Sequence, residues 1–510
     1  MKLRHILSLI LLILATEVTA TAQDAVTYAQ STPAPSGNPL TRIMRKKLVS
    51  VDMPLVEFTL KNGDFPNFDF IYAPSGCWGI SITNNDYVEG RLVISRLNDT
   101  IYDSGNYVSK TSGVRLKVRG NTSNYENGKK RPKPSYKIKL SKKGKLIDEE
   151  GVGKSKDWVL KGVTYNCPGY PYQIAQICGM GWQPQYQFVN LVINGSYFGV
   201  YFLSEGVTND SDRVNIEDSG YIVENDPYWW KPDEVYFKSK HIPSQMGWTF
   251  KEPDTDDFNE MTMINIQWAI AVFENAIFTG DDVNKYIEMD TFAAWLLVHD
   301  IVATPDSGGA NMFIVKDDFD VDDPFSSKLK MGPLWDLDVA MTSKSTDFSR
   351  IHKEGIFYFP HLFTRRDFTE MYTNMWNEIL PTLYTDYIKG VKEMIRRNPA
   401  YEEARKLEHE YNGVVIPEDF GIETKQYQIW LLQRLRNLNY LINGTYELPN
   451  PPEDPGSIFD RPDPTGDNTL LDKDGGVIKF DLMGHPVKDN APGITITRTT
   501  QTAKKQISQP

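Results

Sequence analysis

The hydrophobic period of this 510-residue chain changes near position 260. Before that point, short runs alternate apolar and polar residues and are interrupted by Gly, Asn and Asp, a pattern typical of half-buried antiparallel strands. After it, apolar residues recur at helical spacing, as in Trp268, Val272 and Ala276. Strands followed by helices predict an α+β fold.

The same patterns place individual elements. Clear strands lie at 135–140, 158–161, 188–195 and 197–205. The last two are separated by AsnGly at 194–195, and both residue types tolerate positive φ, so we predict a tight hairpin there.

Helices are predicted in three places. The first contains Trp268, Val272 and Ala276, and the second is an amphipathic helix that begins with Asp290 as its N-cap and is stopped by Pro305. A helical block occupies roughly 367–442, where an apolar stripe covers one face of the last helix.

Composition divides the chain into segments. Residues 1–22 combine positive charge, an apolar run and small residues at a cleavage site, which predicts a Sec signal peptide. Residues 23–50 are rich in Ser, Thr, Pro and Gly and are predicted to be a flexible linker. The remaining predicted segments are a small β region at 51–112, the main domain at 113–445, a linker at 446–472 and a C-terminal β tail at 473–510.

Charge, hydropathy and cysteine content exclude several classes of protein. A net charge of −12 argues against non-specific nucleic-acid binding, which needs a cationic face. Beyond the signal peptide no segment approaches the ~20 apolar residues of a membrane span, so we expect an exported protein that is periplasmic, surface-attached or extracellular. Three cysteines are too few for a disulfide-stapled scaffold, and Cys167 and Cys178 could pair or remain buried thiols.

The region from 306 to 338 contains acidic residues of the kind that phosphoryl transfer requires. Asp306 follows a helix, Asn311 begins the next strand, and Asp336 and Asp338 follow the returning strand at 328–334. A protein kinase lays out its catalytic and metal-binding groups in this order, and Mg²⁺ prefers such oxygen ligands. Asp306 alone could equally be a turn residue, whereas the two acids of TrpAspLeuAsp repel each other unless a cation or donors lie between them.

The cationic half of such a site is less specific. Lys137 and Lys139 share one face of a strand, and either could contact nucleotide phosphates or simply be solvated. Arg119 could clamp a phosphate or form a structural salt bridge, and Glu205 could orient one of the lysines. The acidic run at 317–323 lacks the Gly and distal Glu of an EF-hand, which favours a solvated loop over a calcium site.

Together these motifs resemble the spore-coat protein H (CotH) kinase-like family. The resemblance covers roughly 113–443 and is carried by ValArgGlyAsnThrSer (118–123), ProLysProSerTyrLysIleLysLeu (132–140), the strand pair at 192–205 and LysMetGlyProLeuTrpAspLeuAspValAla (330–340). It implies a reduced, atypical protein-kinase-like fold. It also implies an enzyme that uses ATP with Mg²⁺ or Mn²⁺ to phosphorylate Ser or Thr of secreted or surface proteins.

The resemblance assigns roles to individual residues. It makes Asp306 the catalytic Asp and Asp336 the metal-binding Asp, with Asn311 as second metal ligand and Lys137 or Lys139 as nucleotide contacts. One stretch departs from the family: after TrpValLeu, members usually continue with Asn or Tyr, an Asp and an Arg-Asn pair, whereas this chain has LysGlyValThrTyrAsn. This departure favours the alternative of a catalytically degenerate binding or structural module.

The C-terminal segment carries a second, weaker resemblance. GlyValIleLysPheAspLeuMetGlyHisProVal (476–487) is similar to the β tails of exported Bacteroidetes proteins, including type IX secretion signals. The closing IleThrIleThrArg lacks the usual Gly-Lys ending. The resemblance implies that this tail is a secretion or sorting signal.

Overall fold

A computed structural model describes the chain in blocks. The described residues are 27–28, 32–83, 86–162, 169–232, 234–242, 245–254, 258–304, 308, 310–337, 340–341, 357–413, 420–450, 479–480, 486–487, 494–499 and 502–507. Helices α1 to α8 span Arg42–Ser50, Gly169–Ile177, Glu260–Thr279, Met289–Val302, Phe359–Leu362, Arg366–Arg397, Tyr401–Asn412 and Phe420–Asn443. Strands β1 to β23 span Thr27–Tyr28, Asn38–Pro39, Leu55–Leu60, Phe70–Tyr72, Ile80–Ile82, Val88–Arg96, Asp99–Asp103, Val114–Arg119, Tyr125–Glu126, Lys129–Lys130, Ser135–Gly144, Ser155–Gly162, Tyr186–Ile193, Ser196–Glu205, Tyr221–Asp226, Tyr236–Phe237, Gly247–Glu252, Met312–Lys316, Leu329–Met331, Lys479–Phe480, Pro486–Val487, Ile494–Thr499 and Thr502–Ile507.

A closed barrel forms the first part of the fold. Its strands follow the order β12-β11-β8-β6-β3-β13-β14, and β14 pairs with β12 to close the ring. Tyr136, Ile138 and Leu140 point inward from β11 and are buried, because successive side chains on a strand point to opposite faces. Lys137 and Lys139 therefore lie on the outer face of the barrel.

The boundary predicted at position 112 falls inside this barrel. Strands β3 and β6 precede it and β8 follows it, and all three belong to the same closed sheet. The parallel pairing of β3 with β13, from Leu55↔Asn190 to Phe58↔Ile193, crosses the boundary. The predicted small β region at 51–112 is thus part of the barrel, since the ring cannot close without β3 and β6.

The linker predicted at 23–50 contains an ordered helix, which corrects that expectation for its last residues. Thr41 caps α1 by accepting a hydrogen bond from the Met44 backbone N–H at 3.2 Å. Met44 and Leu48 are buried in the core that also contains the C-terminal helices. The Ser- and Pro-rich composition before position 40 concealed this short apolar pattern.

A second sheet and the helices form the rest of the described fold, which is α+β. The sheet is antiparallel, in the order β16-β17-β15-β18-β19. Helix α4 is buried along nearly its whole length, so it is a central helix rather than the amphipathic one predicted. It begins one residue before Asp290, which lies in the first turn while Glu288 occupies the cap position.

The hairpin predicted at 194–195 is confirmed. Asn194 and Gly195 have φ of 48° and 74°, and they join β13 to β14. Two positive φ values match the right-handed twist of the flanking strands. This turn fixes the register of the two strands that complete the barrel.

The C-terminal tail contains strands in the order β21-β20-β22-β23, all antiparallel. The predicted tail therefore has β structure in its described residues. Among the helices described, none combines the length and apolarity needed to cross a membrane. Cys178 is a free thiol whose pKa burial raises to about 12, and Cys167 lies outside the described residues.

Candidate functional site

The hairpin of β18 and β19 brings two predicted residues to one end of the second sheet. Asn311 immediately precedes β18 and Asp336 lies five residues beyond the end of β19, so both lie beyond the same end of this antiparallel pair. Both residues have a φ of 58°, a left-handed conformation that costs on the order of 1 kcal/mol for a residue other than Gly. Between them, the Leu334 N–H donates to Gln183 Oε1 at 3.0 Å and holds the segment in place.

A lysine from the barrel meets Asp336. Lys161 points outward from β12, and its ammonium donates a hydrogen bond to Asp336 Oδ1 within an ion pair. The side chain of Lys161 is 10% exposed and that of Asp336 is 33% exposed. The contact thus joins the barrel to the hairpin and leaves part of the carboxylate open to solvent.

Trp335 forms an aromatic surface next to this pair. Lys161 Nζ lies 4.6 Å and Arg119 Cζ 5.5 Å from its ring centroid. Contacts of this kind stabilise a cation by the charge distribution of the indole face. Two cations and one carboxylate therefore surround a single buried ring.

The electrostatics of Asp336 follow from these neighbours. Burial by itself would raise the pKa of Asp336, but the charges of Lys161 and Arg119 and the hydrogen bond from Lys161 outweigh it. The net result is a pKa below the ordinary value of an aspartate. Asp336 is accordingly ionised at neutral pH and able to bind a cation.

An apolar cluster fixes the relative position of barrel and hairpin here. Trp335 packs with buried side chains from the barrel, the second sheet and the connection between them. Its buried members are Val159, Ile216, Ile222, Phe313, Val315 and Trp335. Val159 and Lys161 lie on the same face of β12, so this packing holds the lysine against Asp336.

The two lysines proposed as nucleotide contacts already share a carboxylate. Asp157 Oδ1 lies 3.5 Å from Lys137 Nζ and Asp157 Oδ2 lies 3.1 Å from Lys139 Nζ. Burial lowers the pKa of Lys137, and Asp157 offsets this only in part. Next to them on β8, burial and the charge of Lys137 lower the pKa of Lys117. This face of the barrel is therefore rich in cations.

Glu205 has a different partner from the one expected. Its Oε1 lies 3.3 Å from Arg213 Nε and its Oε2 accepts a hydrogen bond from the Gln185 N–H at 3.0 Å. The Glu205 and Arg213 side chains are essentially inaccessible to solvent. The idea that Glu205 orients Lys137 or Lys139 is therefore corrected: Arg213 is its cation, because a buried carboxylate needs a buried partner.

Two of the predicted residues, Asp306 and Asp338, lie outside the described residues. Asp336 and Asn311 supply a carboxylate and an amide oxygen at one end of the hairpin, the oxygen ligands that Mg²⁺ and Mn²⁺ accept. Among the residues that the structure describes, no group of three or more His, Cys, Asp or Glu side chains could hold a metal. The described donors match a divalent cation in chemical type.

Lys161 was not singled out from the sequence, although a signal for it was present. In the strand at 155–162, alternation places Asp157, Val159 and Lys161 on one face and Trp158 on the other. Since β12 pairs with β11, this face continues the one that carries the two predicted lysines. What the sequence did not reveal is the long-range contact that brings Lys161 to Asp336.

A second perturbed carboxylate lies at the end of β15, the strand that pairs with β18. Asp226 accepts hydrogen bonds from the Tyr228 N–H at 2.7 Å and from the Thr249 hydroxyl at 3.3 Å. Burial, together with the charge of Glu224, raises the pKa of Asp226 to about 7, against the opposing charge of Lys251. Its proton is therefore bound more tightly in the folded chain than in the unfolded chain.

Asp226→Asn should flatten the pH dependence of stability. Because the pKa of Asp226 is raised in the folded chain, the ionised carboxylate destabilises the fold. This destabilisation is absent below pH 4 and grows as the pH rises towards about 7. Relative to the variant, the wild type should lose unfolding free energy on the order of 4 kcal/mol over this window, since about three pKa units correspond to this amount. Urea titrations at pH 4 and pH 7.5 measure it, with the exposed Asp99→Asn as control. Parallel pH profiles for wild type and Asp226→Asn would contradict the prediction.

Comparison with known proteins gives a family match. The family model described as "CotH kinase protein" matches residues 116–438, which is more than half of the chain. The match begins in β8 of the barrel, ends in α8, and includes Lys161, Asn311 and Asp336. A search of curated proteins found no significant match.

Proposed function

We propose that this chain, which belongs to the CotH kinase protein family, is an exported protein kinase with a reduced kinase-like fold. Its reaction would be transfer of the γ-phosphate of ATP to Ser or Thr of secreted or surface proteins. The observation that carries the proposal is the meeting of Lys161 with Asp336 where the barrel contacts the β18–β19 hairpin. Phosphoryl transfer is catalysed mainly by positioning the reactants and by stabilising the charge of the phosphates. At this junction, packed elements hold charged side chains close together.

The residues divide into two groups by charge. Asp336 and Asn311 would hold Mg²⁺ or Mn²⁺, with Asp338 beside them in the sequence, and the metal would neutralise phosphate charge when bound. Lys161 and Arg119 would face the phosphates from the barrel side.

Further along the outer face, Lys137 and Lys139 supply additional positive charge for the nucleotide. Asp306 would position the acceptor hydroxyl, as the family resemblance implies. The predicted signal peptide and the resemblance of the C-terminal tail to secretion signals support an exported location. The acceptor would then be a protein of the periplasm, the surface or the exterior.

One observation favours a second candidate, a non-catalytic binding module. The carboxylate of Asp336 already has a cation, since Lys161 pairs with it directly. A chain that keeps this pair closed could bind a phosphate-bearing partner through its cationic face without transferring a phosphoryl group.

Incubation of the full chain with labelled ATP and Mg²⁺ or Mn²⁺ separates the two candidates. A kinase transfers label to itself or to Ser- and Thr-rich acceptor proteins and loses this activity in Asp306→Ala. Nucleotide-dependent thermal stabilisation without label transfer identifies the binding module. Absence of both stabilisation and Asp306-dependent transfer would overturn the kinase proposal.

A further inference from the structure

A pocket of about 310 Å³ lies at the end of the barrel where β3 and β13 begin and β6 ends. Gly90 of β6 pairs with Val114 of β8 in antiparallel fashion, so Arg96 and Arg119, near the ends of these strands, lie at opposite ends of the barrel. At about 3.3 Å per residue, the two are on the order of 30 Å apart along the strands. This pocket and its rim are termed the barrel mouth, and its apolar walls are Ile94, Leu97, Ile101 and Leu146.

Two apolar side chains of the barrel mouth are exposed to solvent. Leu97 is 48% exposed and Ile101 is 40% exposed. Leu97 also has a φ of 50° in the turn between β6 and β7, a left-handed conformation that Asn or Gly adopts more readily than a bulky residue. An exposed leucine in an unfavourable backbone conformation contributes little to the fold itself. Its position next to a pocket indicates contact with a partner.

Strand β7 presents a free edge beside the pocket. Among the strands that the structure describes, β7 pairs with β6 alone. The register shifts between Ile94 and Ser95 of β6, which leaves Ile101 as the extra residue of a β-bulge. The backbone N–H and C=O groups on a free edge can pair with an extended peptide. A peptide that lies along β7 therefore passes directly over the pocket.

The floor of the pocket contains an amide. Gln187 lies on the same face of β13 as Val189 and Leu191, which point into the barrel, and it is 7% exposed. Within the described part of the chain, its side-chain amide has no hydrogen-bond partner. A nearly buried amide needs one, and it offers both a donor and an acceptor. A peptide group supplies the complementary acceptor and donor.

The rim of the barrel mouth is acidic. The charge of Arg96 is balanced, since its Nε lies 2.5 Å from Asp52 Oδ1. Asp99 and Asp148 also line the pocket, and neither forms an ion pair with another described residue. Two carboxylates thus lie beside an apolar pocket without a cation. A lysine or arginine next to an apolar side chain has the complementary charge and shape.

We propose that the barrel mouth is a docking site for a partner protein, which binds through an extended basic segment that carries one large apolar side chain. The apolar side chain enters the pocket between Leu97 and Ile101. The backbone of the segment pairs with the edge of β7 and with the amide of Gln187, and its cations face Asp99 and Asp148. This inference goes beyond the proposed function, because the site is at the other end of the barrel from the nucleotide site and binds with or without phosphoryl transfer.

Binding of labelled synthetic peptides to the full chain tests the docking site, followed by fluorescence anisotropy without nucleotide at about 0.15 M salt. The first peptide, SerLysThrLysLeuLysThrLysSer, has one leucine among alternating lysines. Two matched peptides replace the leucine by serine or every lysine by glutamate. The wild-type chain should bind the first peptide saturably and at least about tenfold more tightly than either matched peptide.

Charge reversal at the rim locates the binding. The double variant Asp99→Lys, Asp148→Lys should bind the lysine peptide at least about tenfold more weakly than wild type and the glutamate peptide more tightly. The matched control is Asp64→Lys, which changes an exposed aspartate after β3 at the other end of the barrel. It should leave both affinities unchanged.

Leu97→Asn separates binding from folding. It should weaken binding of the lysine peptide several-fold, because it removes one apolar wall of the pocket. It should also raise the urea concentration at which the chain unfolds, because asparagine adopts the left-handed turn conformation more readily than leucine. Opposite changes in affinity and stability exclude misfolding as the cause of the weaker binding.

Equal binding of the three peptides by wild type overturns the docking site, since it would show non-specific adhesion. Unchanged peptide affinities in the folded double variant overturn it as well. Analytical ultracentrifugation gives a further outcome: dimerisation of the wild-type chain that Leu97→Asn abolishes would assign the barrel mouth to a second copy of this chain and refute a peptide partner.

Discussion

Asp336→Asn should lower phosphoryl transfer by at least about 100-fold, the usual loss when a preorganised charge in an active site is removed. Asparagine keeps the size of the side chain but cannot supply the negative charge that holds a divalent cation. Asp336 is ionised in the folded chain because Lys161 and Arg119 outweigh the effect of its burial on its pKa. The measurement is the initial rate of label transfer from ATP at saturating Mg²⁺.

Asp386→Asn is the matched control for this loss. Asp386 also pairs with a lysine, since its Oδ1 lies 2.9 Å from Lys389 Nζ, but the pair is on the surface of α6. Its removal should change the rate by less than about twofold, because exposed pairs contribute little and this one is remote in sequence from the hairpin. Retention of more than half of the activity by folded Asp336→Asn would contradict a metal-binding role for Asp336.

Local pattern was enough to predict much of the fold around this site. Alternation in β11 separates inward Tyr136 and Ile138 from outward Lys137, and the structure has that separation. The turn at Asn194 was predictable because its backbone conformation depends on two adjacent residues. In each case the feature depends on residues that are close in the sequence or on an apolar pattern that repeats along one strand.

Interactions between residues that are far apart in the sequence could not be predicted in this way. Closure of the barrel depends on the pairing of β12 with β14 and on the parallel pairing of β3 with β13. Neither pairing produces a pattern in the local sequence. The contact between Lys161 and Asp336 joins residues 175 positions apart. A single sequence contains the charges of such a pair but not the information that they meet.

The partner of Glu205 shows the same limit in a buried setting. A carboxylate at the end of a strand was expected to orient a lysine on the outer face of the barrel. Arg213 reaches it instead, and also donates to the backbone carbonyl oxygen of Asp157 at 2.7 Å. The sequence identified a carboxylate that needs a cation, and only the packing decides which of several cations it receives.

A second buried ion pair joins the barrel to the C-terminal helices. Lys133, which precedes β11, donates to Glu408 Oε1 on α7 and to the Val200 carbonyl oxygen at 2.8 Å. Glu408 is fully buried, and Arg405 Nε lies 3.7 Å from its other oxygen. Gly199 makes room for this carboxylate, because a Cβ there would lie 2.1 Å from Glu408 Oε1. Glu408 is thus the shared anion of two cations.

Glu408→Gln should therefore lower the free energy of unfolding by about 3–5 kcal/mol, since it removes the buried anion that Lys133 and Arg405 share. Lys133→Met should cost less, because Glu408 then retains Arg405. The control is Glu410→Gln on the same helix, whose pair with Lys47 at 2.6 Å is exposed and should contribute about 0–1 kcal/mol. Urea denaturation at neutral pH measures all three. Similar losses for Glu408→Gln and Glu410→Gln would show that burial of this pair does not couple the helices to the barrel.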